Sequence, residues 1–106
     1  MKNGQYNSSK QYLFRVIKNS EDDNLVEKSR LMLANIYLEE ENITDAMKEF
    51  KEVLKNNPNS DDAHYGIGVI YEKQGNLIKA RSEWRNALKI RANHANALKK
   101  LSETKK

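Results

Sequence analysis

The chain has 106 residues, 38% hydrophobic and 32% charged, with a formal net charge of +4 and no cysteine. That length bounds a single domain with a modest core, and the missing cysteines exclude disulfide frameworks, thiolate catalysis and cysteine-based zinc sites. The polar opening Met1–Lys10 has no apolar signal core, and no stretch approaches the roughly 20 apolar residues of a membrane span, so a soluble chain is expected.

In chain order, Asn7 or Ser8 can cap a first helix over residues 8–19, with Tyr12, Leu13, Val16 and Ile17 along one face. A polar loop, Ser20–Asn24, leads to a helix from Leu25 to Glu40. Glu41-Asn42 stands where a turn glycine would serve best, and Asn42 is the residue expected to tolerate the left-handed region. A second helix covers Thr44–Asn56. Asn57-Pro58-Asn59-Ser60 then stops that helix and caps the next, whose first turn holds Asp61 and Asp62. Gln74-Gly75-Asn76 is a turn signal, with Gly75 free to adopt the left-handed conformation that ends a helix. Asn93 repeats the role of Asn59, and a closing helix follows over residues 95–104.

The segments Glu27–Ser60 and Asp61–His94 share one skeleton at an offset of 34 residues: Tyr37 aligns with Tyr71, Ala46 with Ala80 and Phe50 with Trp84. Ala34, Gly68, Ala46 and Ala80 are small where a partner helix must pass, and the aromatic residues fill the space between layers. Val16-Ile17-Lys18-Asn19 echoes Val53-Leu54-Lys55-Asn56 at an offset of 37, marking residues 8–19 as the second helix of a truncated leading repeat. The expected organisation is therefore one domain over residues 1–106. It holds the truncated repeat, repeats at 27–60 and 61–94, and the closing helix.

A 34-residue helix-turn-helix period with these small and aromatic positions resembles the tetratricopeptide repeat (TPR) family. The resemblance implies an all-α solenoid of about six helices that acts as a scaffold for protein–protein interaction, with ligands in a concave groove lined by the first helix of each repeat. Ligand contacts in that family come mainly from the second, fifth, ninth, twelfth and thirteenth positions of the helix. Carried over, these are Lys28, Leu31, Asn35, Leu38 and Glu39, then Asp62, Tyr65, Val69, Glu72 and Lys73, then Asn96 and Lys99. Gly66 joins them as a place where a ligand backbone could come close. The apolar members, Leu31, Leu38, Tyr65 and Val69, suit a strip of apolar residues on a partner helix or extended peptide; the competing reading is that they pack against neighbouring helices. The carboxylate clamp of one family branch is absent, because Leu31, Gly66 and Asn96 replace two of its lysines and one of its asparagines.

Two rival functions follow from other features. The open ends of a short solenoid could self-associate. Arg81, Arg85 and Lys89 form a basic row on one helix face that could follow phosphates, although a solvated convex surface is the plainer account. No enzyme, cofactor or metal is expected, since His64 and His94 lack a metal- or base-like spacing to carboxylates and no phosphate loop or serine elbow occurs. The chain is expected in the cytoplasm if Met1 is the natural start; an excised domain would fit a periplasmic or membrane-tethered parent.

Overall fold

The computed structural model describes residues 2–105, which form six α-helices. They are α1 (Lys2–Asn19), α2 (Asp23–Glu39), α3 (Ile43–Asn56), α4 (Asp61–Lys73), α5 (Leu77–Ile90) and α6 (Ala95–Glu103). None of them is long and apolar enough to cross a membrane. α1 begins at Lys2, ahead of the cap read at Ser8: Asn7, Ser8 and Ser9 favour caps, but no proline forbids the helix from running through them. α2 also starts early, because the Asp22 carboxylate accepts from the backbone N–H groups of Asn24 and Leu25 at 3.0 and 3.2 Å.

The repeat returns bond for bond in the turns. Asn42 N–H donates to Tyr37 O at 2.8 Å, and Asn76 N–H to Tyr71 O at 2.8 Å. These are the six-residue closures that satisfy the last carbonyls of α2 and α4. Each turn needs one left-handed residue, supplied by Gly75 with φ 81° and by Glu41 with φ 60°. The strained position is thus Glu41 rather than Asn42. Asn42 is held elsewhere, its side chain accepting from Asp45 N–H at 3.3 Å and donating to Asp45 Oδ2 at 2.7 Å as the start of α3. A left-handed non-glycine residue costs about 1–2 kcal/mol, so Glu41→Gly is expected to raise stability by about 1 kcal/mol, read as a higher midpoint in urea with an unchanged slope.

The chain divides into two compact units, Met1–Glu52 and Val53–Lys106. In the first, Leu13 of α1, Leu33, Ala34 and Tyr37 of α2, and Ala46 and Phe50 of α3 are buried. Two ion pairs tie its helices at the edges: Lys10 Nζ to both Glu40 carboxylate oxygens at 2.9 and 3.0 Å, and Arg30 Nη1 to Glu49 Oε1 at 2.8 Å. Within the acidic run Glu39–Glu41, Glu40 is thus spent on α1.

The second unit centres on Ala80, Trp84, Ala87 and Ala97, all fully buried, with Tyr65, Tyr71, Leu88 and Leu101 packed around them. α4 crosses α5 at Gly68. A Cβ there would lie 2.5 Å from Trp84 Nε1, 2.7 Å from Trp84 Cδ1 and 3.0 Å from the Ala80 carbonyl oxygen. Those separations leave no room for a side chain, which explains a glycine inside a helix despite its cost in helix propensity. The Trp84 indole N–H is buried without a hydrogen-bond partner.

Candidate functional site

Positions 62, 65, 69, 72 and 73 share one face of α4 through the helical period, and this face turns towards α6. Asp62 Oδ1 accepts from His94 Nε2 at 2.9 Å, the Tyr65 ring lies 5.3 Å from the His94 ring, and Lys100 Nζ donates to Glu72 Oε1 at 2.7 Å. The bond to Glu72 holds the Lys100 ammonium above its ordinary pKa. Burial raises that of the Tyr65 phenol, against the pull of Lys100.

His94 is the hinge of this arrangement, and one hydrogen bond decides its tautomer. Its Nδ1 accepts from Ala97 N–H at 3.2 Å, capping α6, so the proton sits on Nε2 and is donated to Asp62. Ser60 occupies the equivalent place one repeat earlier and caps α4 with its hydroxyl, which accepts from Ala63 N–H at 3.2 Å. Arg91 Nε stands 2.6 Å from Asp61 Oδ2, close as an ion pair but not aligned as a hydrogen bond. Asp61, Asp62 and His94 converge as metal-type ligands would, yet both His94 nitrogens are committed and the Arg91 guanidinium already stands among the carboxylates. His64 also has a carboxylate, with Nδ1 2.8 Å from Glu83 Oε1. Both histidines thus have the acidic partners that sequence spacing does not reveal, and both pairings join helices.

The candidate ligand positions fall into three groups. On α2, Lys28, Asn35 and Glu39 are exposed, while Leu31 and Leu38 are half-buried. On α4 and α6, Lys73, Asn96 and Lys99 are exposed and Val69 is half-buried, and none of these four side chains enters a hydrogen bond or ion pair among the described residues. The third group serves the fold: Asp62 and Glu72 hold α6, Tyr65 packs on the core cluster, and Gly66 is buried. Close approach of a ligand backbone is not open to a buried Gly66.

The largest exposed apolar side chains lie elsewhere. Tyr12, Phe14, Leu25 and Met32 of the first unit are all more exposed than any of the apolar groove candidates. The basic row of α5 is also broken, because Arg81 Nη1 turns back to donate to Leu101 O at 3.0 Å and Thr104 Oγ1 at 2.7 Å. Arg85 and Lys89 remain exposed.

Comparison with known proteins gives two family matches: a TPR repeat model over residues 34–75 and a tetratricopeptide repeat model over residues 61–94. Among solved structures, the chain is similar to the crystal structure of YrrB, described as a TPR protein with an unusual peptide-binding site. The two share 28% identity and a TM-score of 0.76, over 92% of this chain and 49% of that one. The chain thus spans about half the length of the structure it matches. No match is found among curated proteins. The helices adopt the fold of that structure, an all-α helical solenoid.

Proposed function

Because the chain belongs to the tetratricopeptide repeat family, we propose that it is a non-enzymatic protein-interaction module. The α4–α6 face of the second unit takes an apolar helix or extended peptide segment of another protein, and the α2 face of the first unit is, by itself, a surface of the same kind. The carrying observation is that Val69, Lys73, Asn96 and Lys99 sit beside a framework already fixed by Asp62–His94 and Glu72–Lys100, yet make no polar contact of their own. A preorganised surface with unspent side chains loses little entropy when a ligand orders it. The peptide-binding description of YrrB supports the same reading. Lys73 and Lys99 suit acidic residues flanking an apolar strip, with Val69 and the edge of Tyr65 as its floor. A nucleic-acid role through α5 is weakened by the loss of Arg81 to the α6 terminus.

The test compares partner capture from the source cell by the native chain and by a Val69→Glu, Lys99→Glu double variant. Both positions lie outside the ion pairs of the fold, so the variant should keep its circular dichroism spectrum and thermal midpoint. A protein held by the native chain and bound at least about tenfold more weakly by the variant, a difference of ~1.4 kcal/mol, is the expected result. Equal binding of every captured protein would remove the α4–α6 face from the proposal.

A further inference from the structure

α6 has nine residues, fewer than the roughly 12–15 at which an isolated helix is even marginally stable in water. Its helical form therefore depends on what α4, α5 and its own cap supply. Ala97 is fully buried and Leu101 packs on the Trp84 cluster, whereas Leu98 is 48% exposed. The remaining ties are polar: Lys100 to Glu72 at 2.7 Å, Arg81 to the Leu101 carbonyl at 3.0 Å, and His94 at the start of the helix.

His94 makes two bonds at once, and only a neutral ring can make both. Its Nδ1 accepts from Ala97 N–H at 3.2 Å while its Nε2 donates to Asp62 Oδ1 at 2.9 Å. Imidazolium carries a proton on each nitrogen and accepts at neither. A second proton would therefore set Nδ1–H against Ala97 N–H, donor to donor, and turning the ring over would not restore an acceptor. The ring is 2% exposed, so water cannot take over the bond while α6 stays in place. Facing it are Asp61, Asp62 and Tyr65 of α4 and Arg91 of the turn before α6, with Lys100 of α6 acting on the Tyr65 phenol. Arg91 stands against both carboxylates.

The other polar groups of the unit that could be compared with His94 lack this conflict. Ser60, one repeat earlier, caps α4 through a hydroxyl that gains no charge. His64 has the opposite arrangement, with Nδ1 2.8 Å from Glu83 Oε1 and Nε2 3.2 Å from Pro58 O, two acceptors that a doubly protonated ring satisfies.

We infer that His94 is a proton-operated latch: a proton taken up at Nδ1 uncaps α6 and releases it from α4 and α5, while the α4–α5 pair stays closed. Linkage fixes the sign. The docked helix excludes the Nδ1 proton and the released helix admits it, so docking is held at neutral pH and lost as pH falls through the imidazole range, about pH 8 to 5. That range lies above the ordinary carboxylate range, about pH 4, so acid acts here on imidazole. The latch concerns α6 alone; its consequence for binding rests on the proposed α4–α6 face, which would lose Asn96 and Lys99 on release.

Amide hydrogen exchange of the full chain, corrected for the intrinsic pH dependence of exchange, reads α5 and α6 separately. Between about pH 7.5 and 5.5, α6 is expected to lose at least about tenfold in protection while α5 changes less than about twofold. His94→Asn keeps an acceptor at the cap and does not titrate, so its α6 should change less than about twofold. His64→Gln should respond as the native chain does. In the native chain, the ring nitrogen signals of His94 should titrate with the same midpoint as the opening of α6. Protection of α6 indifferent to pH, an equal loss in His94→Asn, a parallel loss in α5, or separate midpoints for ring and helix would each overturn the inference. Should His94→Asn loosen α6 already at neutral pH, the two midpoints of the native chain decide. Both readouts follow α6 with no partner present, so they stand or fall apart from the partner-capture test.

Discussion

Trp84→Ala is expected to lower stability by about 3–5 kcal/mol, the range for deleting a large aromatic side chain from a packed core. Trp84 is fully buried, and the α4–α5 crossing, Ala80, Ala87 and Ala97 are arranged about it. The buried residues of its cluster are alanines, and Gly68 faces the indole; these have no rotamers with which to collapse inward, while Tyr65, Tyr71, Leu88 and Leu101 pack at the edge of the cluster. Small domains hold only about 5–15 kcal/mol in total, so the variant should be largely unfolded at modest urea concentrations. A loss below about 1 kcal/mol in the denaturation midpoint would show that the crossing repacks and that Trp84 is not its keystone.

Substitution at Gly68 is the second large effect, and its sign is as informative as its size. On an exposed helix, Gly→Ala gains about 1 kcal/mol from propensity alone. Here the new Cβ would meet the Trp84 ring at 2.5 and 2.7 Å, and a fully buried indole has no open space into which to swing. Gly68→Ala should therefore destabilise, and Gly68→Leu should cost about 1–3 kcal/mol or more through overpacking. The first repeat supplies the control, for there the same two positions are Ala34 and Phe50, both buried. A smaller ring allows a Cβ opposite it. Combining Gly68→Ala with Trp84→Phe should recover a substantial part of the loss in a double-mutant cycle; strictly additive effects would mean that the two residues do not share the crossing.

That pairing shows which features could be read in the chain beforehand. Gly68 with Trp84 and Ala34 with Phe50 repeat at a fixed offset, and the turns around Asn42 and Asn76 close through bonds spanning six residues. Helix order, the seams and the crossing residues are all governed by local spacing, which sequence displays directly. The pairings His64–Glu83 and His94–Asp62 span 19 and 32 residues, and no one-dimensional pattern brings such residues together. Glu41 illustrates a second limit: the backbone needed φ above zero one residue earlier than the side-chain preference of Asn42 suggested, because Asn42 was required as the cap of α3. A cleft between α1 and α2 illustrates a third. Tyr12 shares an apolar helix face with Leu13, Val16 and Ile17, yet it is exposed together with Leu25 and Met32, with no helix among the described residues covering them.

Among the candidate site residues, those assigned by repeat position divide by what their neighbours happen to be. Asp62 is taken by the His94 imidazole and Glu72 by the Lys100 ammonium, whereas Lys73 and Lys99 meet no acidic group among the described residues and stay available. Repeat phase gives the face on which a residue lies. Whether its charge is spent depends on the neighbouring helix, which varies from repeat to repeat.

The single tryptophan of the chain lies in Val53–Lys106, with its indole sealed from water and its N–H unpartnered. Its emission is therefore an optical signal belonging to one half of the molecule, while backbone ellipticity sums over both. In a repeat architecture, where cohesion is a sum of nearest-neighbour terms, superimposable melting curves from the two signals would mean that the array breaks in one step. A gap between them would measure how far the two halves are thermodynamically independent, with no label added and no residue changed.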